Sequence, residues 1–139
     1  MSEREKAQRC RELAAGIRDA RDHYVDLGHQ IFDQGQRVDH AESDVIEIET
    51  ELNTLDTAQT PVTAAARIGS VAASVAAALA LEAAKARLRA RLANAKIAFD
   101  NEQLKLSNLN IERRVTNQQL QRILSQFDSS NCEIHAARP

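Results

Sequence analysis

The sequence predicts an all-α protein: two long helices in an antiparallel coiled-coil hairpin, assembling with further helices into a larger bundle. Three observations carry that expectation. Apolar residues recur in an unbroken three-four rhythm from Cys10 to Leu55. Helix breakers and large aromatic side chains are scarce among the 139 residues, with four Gly, two Pro, three Phe, one Tyr and no Trp. Between two long helix-forming stretches stands Thr60-Pro61, a pair that suits a helix start.

The first helix is expected over about residues 3–56. Its seam reads Cys10, Leu13, Ile17, Ala20, Tyr24, Leu27, Ile31, Gln34, Val38, Ala41, Val45, Ile48, Leu52 and Leu55. A spacing that averages 3.5 residues keeps one narrow stripe on one side of a slightly under-wound helix, and that stripe needs a partner laid along it. Gln34 is the polar exception, and a buried amide there would fix register or partner number. Gly28 and Gly35 flank it one heptad apart. Each costs roughly 1 kcal/mol against Ala inside a helix, so residues 28–36 are where a kink would fall. The heptad phase survives across them, which a loop would have no reason to preserve, so a continuous helix is expected. The glycines would also let a neighbouring helix approach closely.

A turn is expected at residues 56–60, with Thr60 as N-cap and Pro61 in the first helical position of helix 2, which then runs over about 61–128. A turn there would set facing residues at numbers adding to roughly 120, a short connection making the helices antiparallel neighbours. Cys10 would then lie near Asn110, and helix 2 would overshoot helix 1. Residues 1–128 form one domain in this reading, and 129–139 a C-terminal tail.

Helix 2 carries two stripes. One comprises Leu81, Leu88, Leu92, Phe99, Leu106, Leu109, Leu120, Ile123 and Phe127; the other, facing away, comprises Ile97, Leu104, Ile111 and Val115. On helix 1, Val25, Phe32 and Ile46 lie off the seam on one side. A lone hairpin would leave Val25, Phe32, Ile46, Ile97, Leu104, Ile111 and Val115 wet, so they form the candidate partner-binding face, with further copies of the chain as the expected partner. With few large side chains, stability is expected to come from length and association.

Charge is uneven. Residues 33–56 carry Asp33, Asp39, Glu42, Asp44, Glu47, Glu49, Glu51 and Asp56 against Arg37 alone, while Lys85, Arg87, Arg89, Arg91 and Lys96 form a basic block. The plain reading is solvated helix faces; the sharper one is an acidic tip that docks on the basic block of another copy. A net charge of −2 and the absence of interleaved aromatics give no reason to expect nucleic acid.

The run from Ile68 to Leu81 is small and uncharged. Tight helix packing explains it, and insertion into a membrane as an oligomeric hairpin is the alternative; the run is short of the roughly 20 residues of a spanning helix. His29 with Asp33, His40 with Asp44, and Cys132 with His135 each offer two potential ligands where zinc needs three or four. No nucleophile–base set or phosphate-binding loop occurs, so neither cofactor nor enzymatic activity is expected.

Cys10 on the seam reads as a small buried hydrophobe and Cys132 as a tail residue that could cross-link subunits. Two cysteines make no disulfide framework, which with the charged start Met1-Ser-Glu-Arg-Glu-Lys suggests the cytoplasm; a leaderless export route would look the same. The resulting functional expectation is a non-enzymatic structural or scaffolding subunit acting through helix packing and self-association. A membrane-active oligomer using 68–81 and a helical binding module for one protein partner are the alternatives.

Overall fold

The chain folds as an all-α hairpin of two helices packed against one another, α1 (Glu3–Ile68, 66 residues) and α2 (Val71–Ser129, 59 residues). The structure is a computed structural model and describes residues 2–68 and 71–132, with side chains described at 2–57 and 75–132. Two compact units divide it: Met1–Gly35 with Lys105–Pro139, and Gln36–Leu104.

α1 begins with a reciprocal cap. The Glu5 amide donates to Ser2 Oγ at 3.2 Å, and the Ser2 amide donates to Glu5 Oε2 at 3.1 Å. This capping box occupies two of the amides that a helix start leaves without an intrahelical acceptor. Its Ser-x-x-Glu signature stands in the sequence and marks the start of α1 to within a residue. α2 ends differently. Asn131 adopts a left-handed backbone (φ 53°), with the Ser130 amide bonding the Gln126 carbonyl and the Asn131 amide bonding that of Asp128. Asn tolerates this conformation better than most residues, so it turns the chain off the helix axis.

The turn does not lie at residues 56–60. α1 continues through Thr60 and Pro61 to Ile68, and α2 starts at Val71 rather than Pro61. The sequence between them is Gly69-Ser70, whose placement is outside the described residues. Contacts fix the pairing within each unit. In the first, Cys10 meets Cys132, the Gly16 position meets Ile123, His23 meets Glu112 and Gly28 meets Arg113. In the second, Asp56 meets Lys85, Glu51 meets Arg91 and Glu49 meets Lys96. Paired residue numbers add to between 135 and 145, centred near 141, and not to 120. The shift of about 21 is three heptads. A whole number of heptads moves every residue to a new partner and leaves the same stripe facing inward. α2 therefore does not overshoot α1.

The seam of α1 is buried or half-buried at all fourteen positions from Cys10 to Leu55. On α2 the nine residues Leu81, Leu88, Leu92, Phe99, Leu106, Leu109, Leu120, Ile123 and Phe127 are likewise buried or half-buried. The gaps between them are filled by residues whose chemistry hides the repeat: Lys85, Ala95, Glu102, Arg113 and Thr116. With these included, α2 shows the three-four rhythm from Leu81 to Phe127 without interruption. Thr116 is satisfied in place, its hydroxyl donating to the Glu112 carbonyl at 2.9 Å.

The densest core lies in the first unit, where Cys10, Ala14, Ile17, Leu120, Phe127 and Cys132 are buried together and Leu13, Ala20, Ile123 and Leu124 pack around them. α1 runs unbroken through residues 28–36. Gly28 has a packing reason: a Cβ there would come within 3.0 Å of an Arg113 guanidinium nitrogen. At Gly35 an added Cβ meets nothing within 4 Å, and at Gly16 it would make ordinary contact with Ile123 at 3.8 Å. Gly35→Ala and Gly16→Ala are therefore expected to stabilise the chain by about 1 kcal/mol each from helix propensity. Gly28→Ala should gain markedly less, because the guanidinium must give way. Urea unfolding of the three variants checks the ordering; equal gains at all three would show that Gly28 has no packing role.

Candidate functional site

The features that could serve function are the surfaces left outside the seam, the charged edge of the second unit, and the ends of the hairpin. On α1, Val25, Phe32 and Ile46 are exposed, Phe32 at 67%. Each follows a seam residue directly, so they make a stripe on one flank of the helix. On α2, Ile97, Leu104 and Ile111 are exposed, Leu104 at 60%, and stand seven residues apart at the position opposite the seam. Val115 is exposed beside them. The seven residues named from sequence thus form one stripe on each helix rather than a single face. Within the first unit the two stripes hold Val25 and Phe32 on α1 and Ile111 and Val115 on α2; within the second they hold Ile46 on α1 and Ile97 and Leu104 on α2. Val75 and Leu79 add exposed apolar surface early in α2.

The charged edge of the second unit is paired in part across the two helices. The register near 141 sets the basic block beside the end of the acidic stretch, where a turn at 56–60 would have set the Ala-rich part of helix 2, with Arg67, opposite that stretch. Lys85 Nζ lies 3.1 Å from Asp56 and 3.7 Å from Glu82, Arg91 lies 3.8 Å from Glu51, and Lys96 lies 3.9 Å from Glu49. The pairs at Arg91 and Lys96 join well-exposed groups and contribute a fraction of a kcal/mol each. Their value lies in register, since a slip by one heptad would set Glu51 opposite Ala84 or Ala98 and lose its pair with Arg91. Lys85 is different. Its side chain is 3% exposed while both of its carboxylate partners are more than half exposed. The stem fills a seam position and the ammonium reaches the carboxylates at its rim. Lys85→Met keeps the volume and removes the charge to be desolvated, so it is expected to match or exceed wild-type stability in urea unfolding. Asp56→Ala, which strips a partner from the buried ammonium, should cost about 1 kcal/mol, because Glu82 and solvent remain within reach. A large loss in Lys85→Met would show that the pair does more than occupy the seam.

In the first unit, Arg113 lies over the Tyr24 ring at 4.1 Å from its centroid, and His23 Nε2 stands 3.3 Å from Glu112. Gly28 leaves the room that the guanidinium occupies above the ring. Gln34 is buried at the seam within the same unit.

The cysteines depart most from the sequence reading. Cys10 and Cys132 form an intramolecular disulfide across 122 residues, with their Cα atoms 5.3 Å apart. Cys10 is not a free buried thiol, and Cys132 is not available to cross-link subunits. The register explains the difference: with facing numbers near 141, Cys132 falls opposite Cys10, where the earlier turn would have put Asn110.

The small-ligand candidates stay apart. Among the described residues no group of three or more His, Cys, Asp or Glu converges where it could hold a metal ion. The sulfur of Cys132 is committed to Cys10, and His135 lies outside the described residues. In the 68–81 segment, residues 75–80 are exposed and Leu81 half-buried, while the side chains of 68–74 lie outside the described residues. Among the described residues no helix is long and apolar enough to cross a membrane. Compared with known proteins, the chain matches no family model, no curated protein and no solved structure.

Proposed function

We propose that this chain is a non-enzymatic structural subunit that packs against further copies of itself through the outer stripes of its two helices, building a larger helical assembly. The observation that supports this reading best is the heptad-spaced stripe of Ile97, Leu104 and Ile111 on the side of α2 opposite its seam. A helix with apolar heptads on two sides is patterned for two partners, and α1 is one of them. Glu49, Glu51 and Asp56 already pair within the chain with Lys96, Arg91 and Lys85, which favours apolar packing as the larger contribution to association. The paired cysteines favour work in an oxidising setting over the reducing cytoplasm that the cysteine count suggested.

Sedimentation of wild type and of an Ile97→Asp/Leu104→Asp double variant tests the reading. Wild type is expected to form a defined oligomer at micromolar concentration. The variant should fall to a monomer of unchanged helicity, since both residues are solvent-exposed within the hairpin. A monomeric wild type at every concentration would overturn self-association and favour a binding module for a different protein. Release of dye from lipid vesicles that disappears in Val75→Asp would favour the membrane-active alternative instead.

A further inference from the structure

We propose that the Cys10–Cys132 disulfide is a redox latch on the first unit, holding the last turns of α2 and the cap beyond them, from Leu120 to Cys132, against Cys10, Ala14 and Ile17 of α1 and releasing them on reduction. Four observations lead there. Both cysteines belong to the most buried cluster of the first unit, in company with Ala14, Ile17, Leu120 and Phe127. Cys132 stands outside α2, carried back by the left-handed Asn131 and held there by two backbone hydrogen bonds, from Ser130 and Asn131. The bond therefore ties the end of α2 to the first turns of α1, and helix ends fray first. No cysteine in the chain is left over, so both thiols are committed to this one bond.

The latch closes by thiol–disulfide exchange with a donor disulfide of the glutathione type. The Cys132 thiolate attacks one donor sulfur, forming a mixed disulfide and expelling the first donor thiolate. The Cys10 thiolate then attacks the Cys132 sulfur, forming the intramolecular bond and expelling the second. Two protein thiols are oxidised, one donor disulfide is reduced to two thiols, and the two protons pass to the expelled thiolates. Opening reverses these steps with a small thiol or dithiol as reductant. Because both sulfurs are buried, attack waits for the terminal turn to fray. The segment from Leu120 to Cys132 ends the helix, so it can open without unfolding residues 85–104.

Amide hydrogen exchange on the full chain, read by mass spectrometry in oxidised and fully reduced forms, tests the proposal. Alkylation of two thiols per chain confirms reduction. Amides of residues 120–132 are expected to exchange at least tenfold faster in the reduced form, with those of residues 85–104 essentially unchanged. Cys132→Ser should reproduce the reduced pattern; should that variant fail to fold, the reduced wild-type chain still gives the answer. Equal protection of residues 120–132 in both forms would overturn the latch. So would loss of protection spreading through residues 85–104, which would make the bond a global staple. A chain that stays in the dithiol form when folded with excess oxidised glutathione would overturn it as well.

Discussion

Ile17→Asp is expected to unfold the first unit. Ile17 is fully buried between Cys10, Ala14, Leu120 and Phe127. Removing the side chain from this site forfeits about 2–3 kcal/mol of apolar burial. The carboxylate that replaces it has no cation within the cluster, and burying it unpaired costs several kcal/mol more. The two effects together are comparable to the whole stability of a small domain, roughly 5–15 kcal/mol. Circular dichroism should show a large loss of helix. The same substitution at Ile46, which is 55% exposed, should change stability by less than about 0.5 kcal/mol. Ile31→Asp belongs between them, because Ile31 is half-buried. Comparable helix loss at positions 17 and 46 would contradict the assignment of inner and outer faces.

Phe127→Ala is expected to be nearly as costly, and its cost should depend on the disulfide. The ring is fully buried in the last turns of α2 and is the largest side chain in the cluster. Truncations of this kind cost about 3–5 kcal/mol, part of it from lost burial and part from the cavity left behind. With Cys10 and Cys132 joined, the terminal turn cannot move away from the gap, so the full cost should appear in urea unfolding of the oxidised chain. In the reduced chain that turn is free to disengage, and the same substitution should cost at least about 1 kcal/mol less. An identical cost in both redox states would show that the disulfide and the ring act independently.

Much of the fold is legible in the residues, because coiled-coil seams are written locally. The three-four rhythm of α1 identifies its inward face residue by residue, and Gly28 and Gly35 do not interrupt it. Residues on the outer stripes, Phe32 and Leu104 among them, are legible for the same reason. What the rhythm does not carry is register. A seam that repeats every seven residues fits its partner about equally well at any whole-heptad offset, so the turn has to be located from other signals. Thr60-Pro61 is a good helix start by local chemistry, yet α1 runs through it to Ile68 and α2 begins at Val71, with Gly69-Ser70 between them in the sequence. Both pairs are punctuation, and the choice between them is made by long-range pairing. Glycine is the commoner residue just past a helix end.

The other differences from the sequence expectation follow from that one displacement. With the turn moved, Cys132 reaches Cys10 and Asp56 reaches Lys85, so a disulfide and a set of ion pairs that no local pattern announces come together at once. Taken the other way, the chain did contain the clue. A hairpin register that joins the two cysteines also sets the basic block 85–96 against residues 45–56, the end of the acidic stretch, and the two requirements agree on facing numbers near 141. The polar seam residues were hidden for a different reason. Lys85, Arg113 and Thr116 occupy inward positions by means particular to each: a long stem with its charge at the rim, a guanidinium stacked on Tyr24, and a hydroxyl bonded back to its own helix. A hydropathy pattern passes over all three.

The register can be measured directly. Nitroxide labels attached at positions 51 and 91 by a cysteine-independent chemistry, with the native disulfide intact, would report the separation of two residues that form an ion pair across the second unit. With facing numbers near 141, the labels should lie across the helix pair from one another, at an interaxial spacing of about 8–10 Å extended by the label arms. A turn at residues 56–60 would instead displace position 91 by about 22 residues along the axis, or about 33 Å at 1.5 Å per residue. A short, narrow distance distribution would support the register that pairs Glu49, Glu51 and Asp56 with Lys96, Arg91 and Lys85. A distribution centred beyond about 30 Å would contradict it, and the latch and the charge pairing would fall with it.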